Sequence, residues 1–155
     1  MQTPLYKCTW EDNNRMKVKE LPIFDEFIRV HGDTPVSEAA ARMVDEGVMD
    51  VIAVDDRDSV LGVVTLFTLL EKVLAKGLDS SKITCKEVVS TNYTTITKDS
   101  DVATGITKYM ATQVSEGSDI PGLIVIDGDK LVGLLSIGDM LAAVTSRRQY
   151  KFSMI

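Results

Sequence analysis

Apolar positions in this chain recur with two different periods, and the alternation of those periods occurs twice. Val36, Ala39, Ala40, Met43 and Val44 fall at i, i+3, i+4, i+7 and i+8, and Val102, Gly105, Ile106, Tyr109 and Met110 fall the same way. This spacing gathers each set on one side of an amphipathic helix. Thr34-Pro35 and Ser100-Asp101 stand just ahead, each an oxygen-bearing cap followed by a residue suited to the first helical position. After each helix comes a short β-rich run, Val51–Val54 or Leu123–Ile126, then a polar turn, then a second run, Val60–Val64 or Leu131–Leu135. Each such block predicts strand, turn, strand. The turn Asp127-Gly128-Asp129-Lys130 is acidic, but it lacks the spaced ligands and closing Glu of a calcium loop, and Gly128 is what a tight hairpin needs. A final helix starts at Thr65 and runs through Leu69, Leu70, Val73 and Leu74; its counterpart starts at Ser136 and runs through Met140, Leu141 and Val144.

Extended segments at Glu26–Val30 and Tyr93–Thr97 lead the two blocks, so each reads strand-helix-strand-strand-helix. Asp33-Thr34-Pro35-Val36 aligns with Asp99-Ser100-Asp101-Val102, and Leu61-Gly62-Val63-Val64-Thr65 with Val132-Gly133-Leu134-Leu135-Ser136. The later copy carries about five additional residues between these landmarks, and Ser115–Asp119 is polar enough to be the lengthened loop. Neither copy covers its apolar sheet face alone, so the two are expected to pack together about a pseudo-twofold axis in an α/β (α+β) fold. The organisation read from the chain is an extension at 1–17, a first repeat at 18–78, a linker at 79–82 after the expected helix stop Gly77, a second repeat at 83–146 and a tail at 147–155. The extension, with Cys8 and Trp10, has no counterpart in the second copy.

Composition narrows the function classes. At 155 residues, 45% hydrophobic and 26% charged, the chain is ordinary globular stock. Seventeen Lys+Arg against 23 Asp+Glu leave a formal charge of −6, which argues against nucleic acid as the main partner. Cys8 and Cys85 stand far apart without a histidine cluster, neither a disulfide framework nor a zinc site. The longest apolar stretch, Leu131–Val144, is short for a membrane span and contains Asp139, and Met1–Val18 lacks signal-peptide character. The expectation is a soluble cytoplasmic protein, free-standing or part of something larger. One histidine and no nucleophile elbow, Walker loop, dinucleotide fingerprint or metal cluster favour a binding module over an enzyme, with no cofactor. His31 is expected on a surface turn, with phosphate contact as the alternative. Arg147, Arg148 and Lys151, interleaved with Tyr150 and Phe152, form a solvated tail or a phosphate or partner contact.

The doubled order, with Asp-Thr-Pro-Val opening a helix and Leu-Gly-Val-Val-Thr leading the last one, resembles the CBS domain, and the pair resembles a Bateman module over about residues 18–146. The resemblance implies a regulatory module that binds an adenosyl ligand (AMP, ADP, ATP, S-adenosylmethionine or NAD) between the repeats and signals to a regulated partner, commonly as a homodimer. The alternatives are a ligand-free interaction scaffold and a detached regulatory part of a transporter or enzyme. Gly133-Leu134-Leu135-Ser136-Ile137-Gly138-Asp139 matches the family's Gly-h-h-Ser/Thr-x-x-Asp pattern in full. It implies that Asp139 accepts the ribose hydroxyls, that Ser136 donates to phosphate or sugar, and that Gly138 permits close approach at a helix start offering free N–H groups. Ser136-x-x-Asp139 also reads as a helix cap, and the two roles coexist. By the same carry-over Ile23, Phe27, Ile28, Val48 and Met49 wall the adenine, or serve as core. Copy one has Thr68 where the aspartate would stand, so a weaker cleft of Thr65, Thr68, Tyr93, Thr94, Ile120 and Pro121 is expected, leaving one good site per chain.

Overall fold

The computed structural model describes residues 16–115 and 117–152, with side chains through Val144. The first repeat contains β1 (Ile28–His31), α1 (Val36–Glu46), β2 (Asp50–Val54), β3 (Val60–Thr65) and α2 (Leu66–Leu69), which continues into a π-helical turn at Leu70–Leu74. One helical turn, α3 (Cys85–Val88), leads to the second repeat: β4 (Thr95–Thr97), α4 (Val102–Ser115), β5 (Gly122–Asp127), β6 (Lys130–Ser136) and α5 (Ile137–Phe152). Each repeat forms a three-stranded sheet, in the orders β1-β2-β3 and β4-β5-β6. In both, the first pair is parallel and the hairpin antiparallel, with a register shift near its turn. The strand-helix-strand-strand-helix unit expected twice from the sequence is present twice.

The two sheets have distinct faces. In β2, Val51 and Ala53 pack with Val36, Ala39 and Met43 in a core belonging to the first repeat. Ile52 and Val54, one step out of phase, join Ile124, Leu131 and Leu134 of the second repeat in a shared core between the sheets. Leu123, Val125 and Leu135 form the third core with Met140. Strand alternation explains the partition, since successive side chains point to opposite faces, and both faces of both hairpins are covered.

The leading segment of each repeat is embedded in the other. Val18 and Ile23 are buried in the second-repeat core, and Leu134 N–H donates to Ile23 O at 2.8 Å. Reciprocally, Cys85 and Val88 are buried in the first-repeat core, and Val63 and Ser90 exchange two backbone hydrogen bonds at 2.9 and 2.8 Å. A glycine makes room at each crossing. A Cβ on Gly133 would run into Ile23 O, and one on Gly62 would lie 2.7 Å from Ser90 O.

This interlock also caps the helices. Pro35, not Thr34, is the N-cap of α1, and no side chain bonds there. Val36 N–H donates to Ile83 O and Ser37 N–H to Ser80 O, while Val102 N–H at the start of α4 donates to Met16 O. Carbonyls of the incoming segments thus satisfy N–H groups that a Ser or Thr oxygen would otherwise take. The helix faces are narrower than the sequence pattern: Val44 is 82% exposed and Met110 62%, because position i+8 lies about 80° around the helix from i.

Candidate functional site

The strand phases that build the shared core also carry polar groups to its edge. Ser136 is in step with Leu134 on β6, Thr65 with Val63 on β3, and Asp50 with Ile52 on β2, all three on the inter-repeat face. Asp50 pairs with Thr65 across the first hairpin and Gly122 with Ser136 across the second. Both hairpins end where a helix begins, so the two repeats offer equivalent positions with different chemistry.

At the second position Asp139 N–H donates to Ser136 Oγ at 3.0 Å. Ser136 is buried, and the expected helix cap is present. The Asp139 carboxylate is not consumed by it: Oδ2 is inaccessible to solvent and has no hydrogen-bond partner. Burial, reinforced by the nearby Glu26 carboxylate, raises the Asp139 pKa, against the opposing effect of the Ser136 hydrogen bonds. A buried acceptor left unpaired is costly, of the order of 1–3 kcal/mol, and donors placed between the repeats would recover that energy. Gly138 is exposed, and a Cβ there would meet only Ser136 Oγ at 3.6 Å. Packing within the chain therefore does not require glycine at that position.

At the first position the polar groups satisfy one another. Thr65 Oγ1 accepts from Thr68 N–H at 3.1 Å and shares a 3.0 Å hydrogen bond with Thr68 Oγ1, both residues being buried. No carboxylate follows on α2, but one stands opposite on β2: Asp50 is 8% exposed. Burial, with Glu26 again adding repulsion, pushes its pKa up to about 6.

The structure sorts the remaining sequence candidates. Phe27 lies in the shared inter-repeat core, Ile23 in the second-repeat core, and Ile28 in the first-repeat core with Val48 packed against it. Met49 is 66% exposed. Tyr93 packs against the shared core, which contains Ile120. Thr94 Oγ1 bonds Thr112 Oγ1 at 3.0 Å. Pro121 is brought to the start of α5, where its carbonyl accepts from Ile137 N–H at 3.0 Å, and so stands beside Ser136. His31 is partly exposed and its Nε2 lies 2.6 Å from Asp56 Oδ1. The basic tail side chains fall outside the described ones.

Sequence reasoning passed over Asp50, Asp25 and Glu26. The signal for Asp50 was a charged residue heading the run Val51–Val54, in phase with Ile52.

The chain belongs to the CBS domain family, which it matches over residues 18–75 and 85–146. It is 29% identical over 105 residues to an uncharacterized protein of Methanopyrus kandleri, covering 67% of this chain and 50% of that protein. It thus spans about half the length of the curated relative it matches. Among solved structures it is similar to CBSX2 in complex with AMP, with a TM-score of 0.68 at 18% identity over 85% of this chain and 98% of that one. It is also similar to the CBS domain pair of protein MJ0100 in complex with 5′-methylthioadenosine and S-adenosyl-L-methionine, with a TM-score of 0.65 at 22% identity over 85% and 98%. At these identities the likeness carries the fold. CBS pair proteins are typically regulatory rather than catalytic, and among the described residues no helix is long and apolar enough to cross a membrane.

Proposed function

We propose that this CBS pair is a regulatory module that binds one adenosyl ligand between its repeats, with Asp139 as the ribose acceptor, and passes the resulting change in inter-repeat geometry to a protein partner. The observation that carries this reading is the Asp139 Oδ2 atom, buried and unpaired at the start of α5, while the equivalent Thr65–Thr68 pair is closed on itself. A ribose offers two adjacent hydroxyl donors to such a carboxylate, and hydrogen bonds to a charged acceptor are worth about 1.5–3 kcal/mol each. Phe27, Met49 and Gly138 complete the proposed cleft. The neighbours solved with AMP and with S-adenosyl-L-methionine support the ligand class. The module acts in the cytoplasm, without catalysis, as a homodimer, and its signal is bounded by the ligand's differential affinity for the two arrangements.

Thermal melts with AMP, ADP, ATP, S-adenosylmethionine and NAD test this. A bound ligand at a hundred times its dissociation constant adds about 2.7 kcal/mol. Asp139→Ala removes the stabilisation and Thr68→Ala leaves it; the reverse pattern would assign the other cleft.

A second reading, a ligand-free scaffold that pairs through its terminal helices, is favoured by one feature. Leu66, Phe67, Leu70, Leu74 and Leu141 are all at least half exposed. A dimer in solution with no melt shift for any ligand would establish it.

A further inference from the structure

The inter-repeat face carries a row of side chains whose chemistry differs between the repeats. β1 and β2 run parallel with Ile28 beside Val51, so one step back Phe27 stands beside Asp50. Asp50 in turn lies opposite Thr65 in the antiparallel pair. Phe27, Ile52 and Val63 all belong to the shared core, and by strand alternation Asp50 and Thr65 point the same way as Ile52 and Val63. The first sheet therefore presents an aromatic ring, a carboxylate and a hydroxyl side by side. In the second sheet Thr95 lies beside Ile124 and Gly122 opposite Ser136, which makes the corresponding row Tyr93, Gly122 and Ser136. Ring and hydroxyl are kept, and only the first repeat adds a carboxylate.

That carboxylate is unpaired yet open. Asp50 is 8% exposed, and among the described residues it has neither a hydrogen-bond nor an ion-pair partner. Even Thr65, whose Cβ an opposite pair holds about 4.5–5.5 Å away, does not bond it: Thr65 Oγ1 is engaged with the N–H and hydroxyl of Thr68. Among the described residues that are not exposed, Asp139 Oδ2 is the one unpaired side-chain atom sealed from solvent, so both Asp50 oxygens are reached from outside. A carboxylate nearly buried, unpaired and reached through a narrow opening calls for donors from beyond the chain.

The row also says what kind of donor fits. A divalent metal ion needs a shell of several oxygen ligands, and among the described residues no group of three or more His, Cys, Asp or Glu is placed to supply one. A primary ammonium needs less. It carries three N–H donors on one small head, which the two carboxylate oxygens and a free lone pair of the Thr65–Thr68 hydroxyls satisfy. The adjoining Phe27 ring favours an organic cation over a strongly hydrated one.

We infer that this row, Phe27–Asp50–Thr65, is a binding site for a small primary ammonium group. The site makes no use of Asp139 and stands whether or not an adenosyl ligand binds.

The experiment is an NMR titration of the full chain, labelled with ¹⁵N, at pH 7.5, where Asp50 is ionised. The probe is n-butylammonium chloride at constant ionic strength, with tetramethylammonium and potassium chlorides as comparisons, since neither cation has an N–H to donate. Saturable shifts are expected at the amides around Asp50, Ile52 and Thr65. Asp50→Asn keeps the shape of the side chain and removes its charge, and it should weaken binding about tenfold or more. Retained dispersion of the variant's amide signals separates that loss from a loss of fold. Asp139→Ala should leave the affinity unchanged. Shifts that stay linear in probe, that tetramethylammonium or potassium reproduces, or that survive Asp50→Asn overturn the ammonium site and leave the adenosyl reading standing. Binding lost in Asp139→Ala and kept in Asp50→Asn overturns it as well, by assigning the amine to the other carboxylate.

Discussion

Asp50 and Thr65 face one another across the first hairpin, at the position where the second hairpin places Gly122 opposite Ser136. The repeats thus keep a hydroxyl at the helix start but move the carboxylate, onto the helix as Asp139 in one and onto the strand as Asp50 in the other. The strand position is the more buried, and its carboxyl is pushed up to about 6.

That shift has a direct consequence for stability. Below about pH 4 Asp50 is protonated in both the folded and unfolded chain and costs nothing. Between about 4 and 6 the unfolded chain ionises first, and above 6 the folded chain carries the full penalty, of the order of 3 kcal/mol. Asp50→Asn should therefore raise the melting temperature by several degrees at pH 7.5 and leave it almost unchanged near pH 4. Thermal unfolding followed by circular dichroism at the two pH values checks this, and an equal shift at both would locate the effect in packing instead of charge.

Gly138 and Gly133 should respond in opposite ways to the same change. A Cβ at Gly138 meets only Ser136 Oγ at ordinary contact distance, so Gly138→Ala should leave the melting temperature unchanged or slightly higher, alanine being the better helix former by up to about 1 kcal/mol. Its cost should appear as weaker adenosyl binding. A Cβ at Gly133 collides with Ile23 O and the Ile23 side chain, and Gly133→Ala should destabilise by about 1–3 kcal/mol. Chemical denaturation of both variants, with ligand titration of the first, separates the two roles.

Much of the architecture is legible in the chain because strand alternation and helical spacing are local properties. The hairpins at Val51–Val64 and Leu123–Leu135, and the helices after Pro35 and Asp101, follow from periodicity and turn residues alone. The interlock is not local. Val18 and Ile23 carry no mark that they belong to the second repeat, and Thr34 reads as a cap because nothing nearby reveals that backbone carbonyls from residues 80–83 do that work. For the site, the spacing of Ser136 and Asp139 marks a helix cap and their binding role is what the resemblance to the CBS pattern implies, whereas Asp50 acquires meaning only once its phase relative to Ile52 shows which face it is on. Ile28 and Val48 read equally as wall or core, and in the fold they pack with the first-repeat core.

Cys85 reports on the integrity of that core. Its thiol is fully buried against the first repeat, and burial pushes its pKa up to about 11, so almost no thiolate is present at pH 8. In a Cys8→Ser background, iodoacetamide should leave the native protein unlabelled for hours and modify it rapidly in denaturant. Mass spectrometry distinguishes the two, and prompt labelling without denaturant would show that α3 opens away from the first repeat.

The most direct test of the central claim is a crystal structure of the chain grown with 5′-methylthioadenosine. The account predicts the nucleoside between the repeats, both ribose hydroxyls within hydrogen-bond distance of the Asp139 carboxylate and the sugar close to Gly138. A nucleoside seated instead against Thr65 and Thr68, or bound with Asp139 untouched, would contradict it.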